Sequence, residues 1–373
     1  MKPLPMSLTP RSDSCCSGPT ESCCPSSSTK LTFTAEKWTE DFIATAVGPV
    51  ARIQTQLASA DILGGWKVRW GINRMNYIVS PGIYCTGNPN SDSPVLVTAN
   101  YKLTFDALRK ELNGVNAWIV VLDTKGINVW CAAGKGTFGT SELVQRIQAV
   151  SLSSIVTHRT LILPQLSAPG ISAHEVFKQS GFKVVYGPIR ASDVPIYLKN
   201  GMTADERMRI VQFTVWDRTI LTPIEVVSTI RPLLMTLGIL FIANSFKLGS
   251  FGQFDLIALL GAIFAGAVLT PILLPWIPGR AFSLKGWLLG LLWTLLLLAF
   301  GHIFSLSFMT VAYILLLPTI SAYFAMNFTG SSTYTSFTGV KREMKIAVPL
   351  MGASTALGLI VLIVNGVLAS VHG

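Results

Sequence analysis

Charge is scarce in this chain. Asp, Glu, Lys and Arg make up 13% of its 373 residues, about half the ~25% usual for a soluble protein. Mean hydropathy is +0.51, which excludes a purely soluble chain and puts a large part of it in lipid. Nearly all of the apolar excess lies after about Ile224. Before that point the composition is that of an ordinary soluble domain, long enough to bury its own core. Acidic residues are the scarcer sign, 19 against 29 Lys and Arg, for a net charge of +10. The basic residues are scattered, and no basic run is interleaved with aromatics, so nucleic acid is not an expected partner. The excess reads as the cytoplasmic positive bias of a membrane protein, attracted to anionic lipid.

Metal-ligand spacing is missing too. Of six cysteines, Cys15, Cys16, Cys23 and Cys24 form two vicinal pairs in a Ser/Pro/Gly-rich tail, Cys85 follows an expected strand, and Cys131 stands alone. Nothing has the three or four close ligands of a structural zinc site. The first thirty residues lack the apolar core of a signal peptide, which predicts a soluble part kept in the reducing cytoplasm with free thiols. His158 and His174 sit in no pairing motif that would make Cys131 a nucleophile. Gly134 to Gly139 satisfies GxGxxG, but it begins about a dozen residues after its strand and has no acidic residue at ribose distance. Lys135 is followed by Gly136, not Ser or Thr, so a Walker A loop fails as well.

The organisation is nevertheless legible. Residues 1–33 read as a disordered Ser/Cys-rich tail. An amphipathic helix is expected from near Phe33, with Phe42, Ile43 and Val47 at helical spacing. A βα alternation follows: strand 94–98, a helix over 104–112 opened by Thr104, strand 117–122, helix 141–150, strand 160–163, helix 174–180 and strand 183–186. The expectation is a Rossmann-like α/β domain over 34–205 with a mainly parallel sheet. A linker at the membrane interface covers 206–225, and an all-α transmembrane domain of five helices covers 226–373.

The spans are placed at 226–246, 253–274, 284–303, 306–327 and 346–369, with Trp276 and Trp287 in an interfacial belt. Arg280, Lys285, Lys341, Arg342 and Lys345 lie in two alternate loops, while the loops near 248 and 304 carry only Lys247. This bias predicts a multi-pass protein of the cytoplasmic (inner) membrane, with the soluble domain in the cytoplasm and the C-terminus outside. Arg231 and Asp255 fall near span ends, and Asn327, Asn365 and His302 are the sparse polar residues of the spans. An anchor or docking platform is the expected role, with a transporter as the alternative.

The segment Asn128-Val129-Trp130-Cys131-Ala132-Ala133-Gly134-Lys135 directly follows the best strand, where an open α/β sheet places its ligand. A soft thiolate beside small residues suits a metal-bearing macrocycle lying flat on the backbone. On spacing alone, a buried apolar cysteine is an equal reading.

Asp123 to Lys135 resembles the segment beneath the corrin ring in the corrinoid iron–sulfur proteins of the reductive acetyl-CoA pathway, and Gly87 to Thr104 resembles a second corrinoid-site segment of that family. The cysteine itself departs from those proteins. NVWCAAGK, on such a domain followed by five spans, is similar to the HgcA family of mercury-methylating corrinoid proteins. The resemblance implies a cobalt corrinoid (cobalamin) held by Thr98, Asn100, Asn128, Val129, Trp130, Cys131, Ala132, Ala133, Gly134, Lys135, Gly136 and Thr137, with Cys131 as catalytic residue and lower axial ligand to cobalt. Trp130 reads equally as core packing. It further implies electrons from a small ferredoxin with two 4Fe-4S clusters, because the iron–sulfur family's own cluster motif is missing. A folate- or acetyl-CoA-pathway methyl donor and Hg(II) as acceptor complete the picture.

Hg(II) is a soft electrophile, so a methyl group passed to it leaves cobalt with its electrons, and Co(III) remains. Charge donated by a thiolate below the ring favours that end state, while the cofactor carries the hard step. Asn128 is a candidate helix cap, and a helix start favours the thiolate. The alternatives are a membrane transporter with a corrinoid or nucleotide sensor domain, and a corrinoid methyltransferase with another soft acceptor. For the tail cysteines the readings are a mercury relay or a dispensable segment.

Overall fold

The computed structural model describes residues 36–246, 251–301, 307–332 and 337–372. The expected disordered tail with its four cysteines, Lys247 and His302 lie outside the described residues.

The chain opens with a hairpin, β1 (Thr39–Thr45) and β2 (Gly48–Ile53), where a helix through Phe42, Ile43 and Val47 is predicted from the spacing. The helical period there is coincidental. Thr39, Ile43, Thr45 and Val47 are β-branched and suit a pleated surface, and Gly48-Pro49 ends any helix. Gly48, at φ +114°, closes a turn of two residues. Phe42 is left exposed, and Ile43 and Val47 rest on the core.

Helix α1 (Ser59–Arg69) precedes β3 (Gly82–Thr86), which contains Cys85, and β4 (Val95–Ala99). Helix α2 (Lys102–Arg109) begins before Thr104, with Tyr101 at its N-cap position, so Thr104 is an interior residue and not the cap. Then come β5 (Ala117–Leu122), α3 (Val129–Lys135), α4 (Thr140–Ala149), β6 (Thr160–Leu163), α5 (Ala173–Ser180), β7 (Lys183–Tyr186) and α6 (Val194–Lys199).

The seven strands form one mixed sheet in the order β1-β2-β3-β5-β4-β6-β7. β5, β4, β6 and β7 are parallel neighbours, whereas β3 runs antiparallel to β5 and β1 to β2. β4 and β5 are buried along their whole length, as strands covered on both faces must be. One face packs Val97, Val120 and Leu122 against α3, α4 and α5. The other packs Leu96, Ile119 and Val121 against α2 and α6. The chain leaves β4 for β5 on one side and returns past β4 to β6 on the other. The winding therefore reverses between β4 and β6, and a doubly wound sheet opens its ligand crevice at such a reversal.

Among the described residues, five helices beyond residue 214 are long and apolar enough to cross a membrane: Val215–Ser245, Gln253–Leu273, Phe282–Phe300, Phe308–Gly330 and Thr338–Leu368. In chain order they are built from α7 (Val215–Thr219), α8 (Thr222–Ser245), α9 (Gln253–Phe264), α10 (Thr270–Leu273), α11 (Phe282–Phe300), α12 (Phe308–Asn327) and the greater part of α13 (Phe337–His372). The close contact is between α11 and α12. A Cβ on Gly286 would sit 2.7 Å from the Ser321 carbonyl oxygen and 3.1 Å from Ala322 Cα, so a larger residue there would force the helices apart. Asp255 caps α9 through the Gly252 N–H and accepts the Tyr313 hydroxyl. Asn327 ends α12 exposed, and Asn365 lies half-buried on α13.

Candidate functional site at the carboxyl edge of the sheet

β5 delivers the chain to a sharp turn whose shape is set by one side chain. Asn100 Oδ1 accepts from the Thr124 N–H at 3.1 Å, the Thr124 hydroxyl at 2.8 Å and the Gly126 N–H at 3.0 Å, and its Nδ2 donates to Asp123 at 3.2 Å. Lys125 and Gly126 are both left-handed, at φ +57° and +70°. Gly126 is required twice over, because a Cβ there would lie 2.8 Å from Ile78 Cγ2. Burial works against the Asp123 charge, but hydrogen bonds from the Lys125 side chain and backbone outweigh it and hold the carboxyl below its usual range.

The turn ends at Asn128, whose Oδ1 accepts the Cys131 N–H at 2.9 Å and caps α3. Gly136, left-handed at φ +79°, stops the helix after two turns. The small residues of α3 divide by face. Val129, Ala132 and Ala133 are buried in the core, and Ala133 is small because the segment at Gly170 lies against it. Trp130, Gly134 and Lys135 are exposed, and Cys131 is half-buried beside them. Nothing lies within 4 Å of where a Cβ on Gly134 would stand. The Thr137 hydroxyl turns back on the Ala132 carbonyl at 3.4 Å.

A cavity of about 620 Å³ opens next to this helix start. Its walls are Leu96, Val97 and Thr98 of β4, Ile162 and Leu163 of β6, and Asn128, Val129 and Trp130, with α1 and α2 closing the side. It thus occupies the crevice where the sheet reverses. Of the residues expected to hold a cofactor, Thr98, Asn128, Val129 and Trp130 line this cavity. Cys131, Gly134 and Lys135 form the adjoining helix surface. Asn100 is buried and shapes the turn.

Spacing did not single out a buried ionic cluster beneath α1. Lys102 binds Asp61 and Asp106, each at 2.7 Å, and Arg109 binds the same two carboxylates, also at 2.7 Å. Arg109 is fully buried and donates to the Gln54 carbonyl at 2.6 Å. Burial disfavours the Asp61 charge, yet Lys102 and Arg109 hold its carboxyl below the usual range. The Lys102-x₃-Asp106-x₂-Arg109 spacing was the available signal. Arg69 reaches the cavity wall from α1.

The two described cysteines are different in kind. Cys85 is fully buried, its thiol donates weakly to the Ala51 carbonyl at 3.7 Å, and burial pushes it up to about 12. Among the described residues no three His, Cys, Asp or Glu side chains gather to hold a metal ion. The protein donor at this site is a single sulfur. That fits a metal arriving in a group that brings its remaining ligands, and the space beside Gly134 is open.

A family model described as CO dehydrogenase/acetyl-CoA synthase delta subunit matches residues 73–198, which include β4, β5, α3 and most of the crevice. Among curated proteins, the chain is similar to the acetyl-CoA decarbonylase/synthase complex subunit gamma of Archaeoglobus fulgidus, 30% identical over 130 residues, 34% of this chain and 27% of the relative. The Methanocaldococcus jannaschii subunit gamma is 32% identical over 124 residues, 33% of this chain and 25% of that protein. The Methanopyrus kandleri subunit gamma is 31% identical over 123 residues, 32% and 26% of the two chains. The chain therefore spans about a quarter of the length of these relatives. The family model falls within the α/β part.

Proposed function

We propose that this chain is a membrane-anchored corrinoid methyltransferase that passes a methyl group to Hg(II). The observation that carries the reading is the half-buried Cys131, its N–H tied to Asn128, on a short exposed helix face at the rim of the switch-point crevice. Similarity over the α/β part to subunits of acetyl-CoA decarbonylase/synthase supports a corrinoid methyl-transfer domain. The resemblance of NVWCAAGK to mercury-methylating corrinoid proteins supports the acceptor.

When bound, the corrinoid supplies the cobalt that carries the methyl group. Cys131 would hold the group through its sulfur, and Asn128 fixes the backbone on which that sulfur rides. Gly134 leaves the surface beside it open, and Trp130 and Thr98 line the adjoining cavity. A sulfur donor from Cys131 would add electron density to the cobalt of the group it holds, the chemistry that suits passing a methyl group with its electron pair to a soft cation. A small ferredoxin with two 4Fe-4S clusters supplies electrons, and a folate-linked or acetyl-CoA-pathway protein supplies the methyl group. The soluble domain works in the cytoplasm, held to the inner membrane.

The test is reconstitution of the purified full chain with cobalamin in detergent. The expected results are a cobalt–sulfur visible spectrum and methylmercury formation when methyl donor and reductant are added. Cys131→Ala should lose both while the protein keeps its circular dichroism. A chain that binds no cobalt, or a Cys131→Ala variant that still methylates mercury at the wild-type rate, overturns the assignment.

A further inference from the structure

The soluble domain exposes far more apolar surface along one edge than a solvated fold needs. Leu63 on α1, Trp70 at its end, and Ile72, Met75 and Ile78 in the following segment are all exposed, Met75 by 66% and Ile72 by 56%. None of these five lines the cavity. Contiguous exposed apolar side chains of this size mark an interaction surface.

The neighbours of the patch identify what covers it. Gly71, in its middle, lies against the first candidate span: a Cβ there would stand 3.4 Å from Ile224 Cδ1 and 3.6 Å from Val227 Cγ1. Both belong to the first two turns of α8, which runs on into the exposed Ile230, Leu234 and Met235. The same end of the helices carries exposed Trp216 on α7 and exposed Trp276, over whose ring the Arg218 guanidinium sits at 5.6 Å. Tryptophan at this level is the mark of a headgroup region. Lys67 and Arg74, both exposed, flank the patch with positive charge. Apolar side chains, tryptophan and flanking cations on a segment adjoining a span are what an interfacial element presents to anionic lipid.

We infer that the outer face of α1 and the segment from Trp70 to Ile78 lie on the headgroup–acyl boundary of the bilayer that the five helices cross. This rests on those helices being membrane-embedded. The same α1 sends Ile62 and Trp66 to the cavity wall, so docking holds the mouth of the crevice close to the lipid surface.

The experiment places p-benzoylphenylalanine singly at Ile72, Met75, Leu234 or Phe177 of the full chain, in nanodiscs of phosphatidylglycerol and phosphatidylcholine. After irradiation, peptides are mapped by mass. Position 234 reports on the span itself, and Phe177, equally exposed on α5 across the sheet, reports background. Phospholipid adducts at 72, 75 and 234 with none at 177 are the expected result. Adducts at 234 but none at 72 or 75 overturn the docking, as do adducts at 72 or 75 to protein, whether a second copy or another chain. Loss of adducts at 234 as well overturns the membrane placement on which it rests.

Discussion

At the residue scale, the two described cysteines make opposite uses of burial. Cys85 lies inside a strand with no exposed surface, and burial pushes its thiol up to about 12. It behaves as a small apolar residue and stays protonated at neutral pH. Cys131 is half-buried on a helix whose neighbouring positions 130, 134 and 135 are exposed. Iodoacetamide added to the folded chain at neutral pH should therefore label Cys131 and leave Cys85 unmodified until denaturant is added. Peptide mapping by mass checks this, and equal labelling rates would contradict the difference in burial. Bound cobalamin should then slow labelling at Cys131 alone. Asn100 carries a further lesson at this scale. The motif resemblance brings it into the cofactor set, but its amide is fully engaged in shaping the turn from Asp123 to Gly126. It serves the site by setting the path along which Asn128 and Cys131 arrive.

At the scale of elements, α1 and α2 are clamped together by two acids and two bases with little solvent around them. Such a cluster is strongly destabilised when one member is removed, because its partners remain buried. Arg109→Met should cost on the order of 3–5 kcal/mol, read as a lowered melting temperature of the detergent-solubilised chain. Arg109→Lys should recover little of it, since an ammonium cannot reach both carboxylates and the Gln54 carbonyl at once. An unchanged melting temperature in Arg109→Met would show that the cluster is incidental.

The acid limb of stability follows from the same contacts. The Asp61 and Asp123 carboxyls are held below their usual range. A depressed carboxyl stabilises the fold above the unfolded pKa of about 4, and that contribution is lost as pH falls through the folded value. Melting temperature should therefore hold steady from neutral pH down to about 5 and fall below about 4. Asp61→Asn should be less stable than the parent at neutral pH and flatter across the acid range. A parent curve that rises on acidification would contradict the sign.

Which elements could be read in advance has a physical basis. The strand 117–122 is a continuous apolar run covered on both faces, and Leu161 to Leu163 and the valines at 184 and 185 repeat the pattern on a shorter scale towards the sheet edge, so local composition nearly dictates them. The opening hairpin was misread because Phe42, Ile43 and Val47 satisfy a helical period by accident. Its true pairing depends on β3, some thirty residues further on. α1 carries no legible period because its large apolar residues stay exposed, Leu63 on the outer face and Ile62 and Trp66 at the cavity wall, so it lacks the periodicity that burial produces. At the site, the helix start and its cap were legible from Asn128 onward. The crevice was not, since it is made where β4 and β6 meet, and their adjacency comes from winding order.

At the scale of the whole molecule, hydrogen bonds between helix ends show which ends share a level. Arg218, just ahead of α8, donates to the Ile272 carbonyl near the end of α10 at 3.1 Å. The first N–H groups of α11 meet Glu343 near the start of α13, with Ser283 donating at 2.7 Å. The start of the first span, the end of the second and the starts of the third and fifth are therefore at one level, the level of the α/β domain. Arg280, Lys285, Lys341, Arg342 and Lys345 all fall at that level. Lys and Arg close to span ends favour the cytoplasmic side, so the expected orientation has this level, and the α/β domain with it, in the cytoplasm. Five crossings then bring the far end of α13 to the opposite face. A fluorescent-protein fusion in the Gly279 turn should light up in cells, and an alkaline phosphatase fused beyond α13 should be active. Exchanging the two reporters should silence both. A bright fluorescent fusion beyond α13 would place both ends of the helical array in the cytoplasm and remove one of the five crossings.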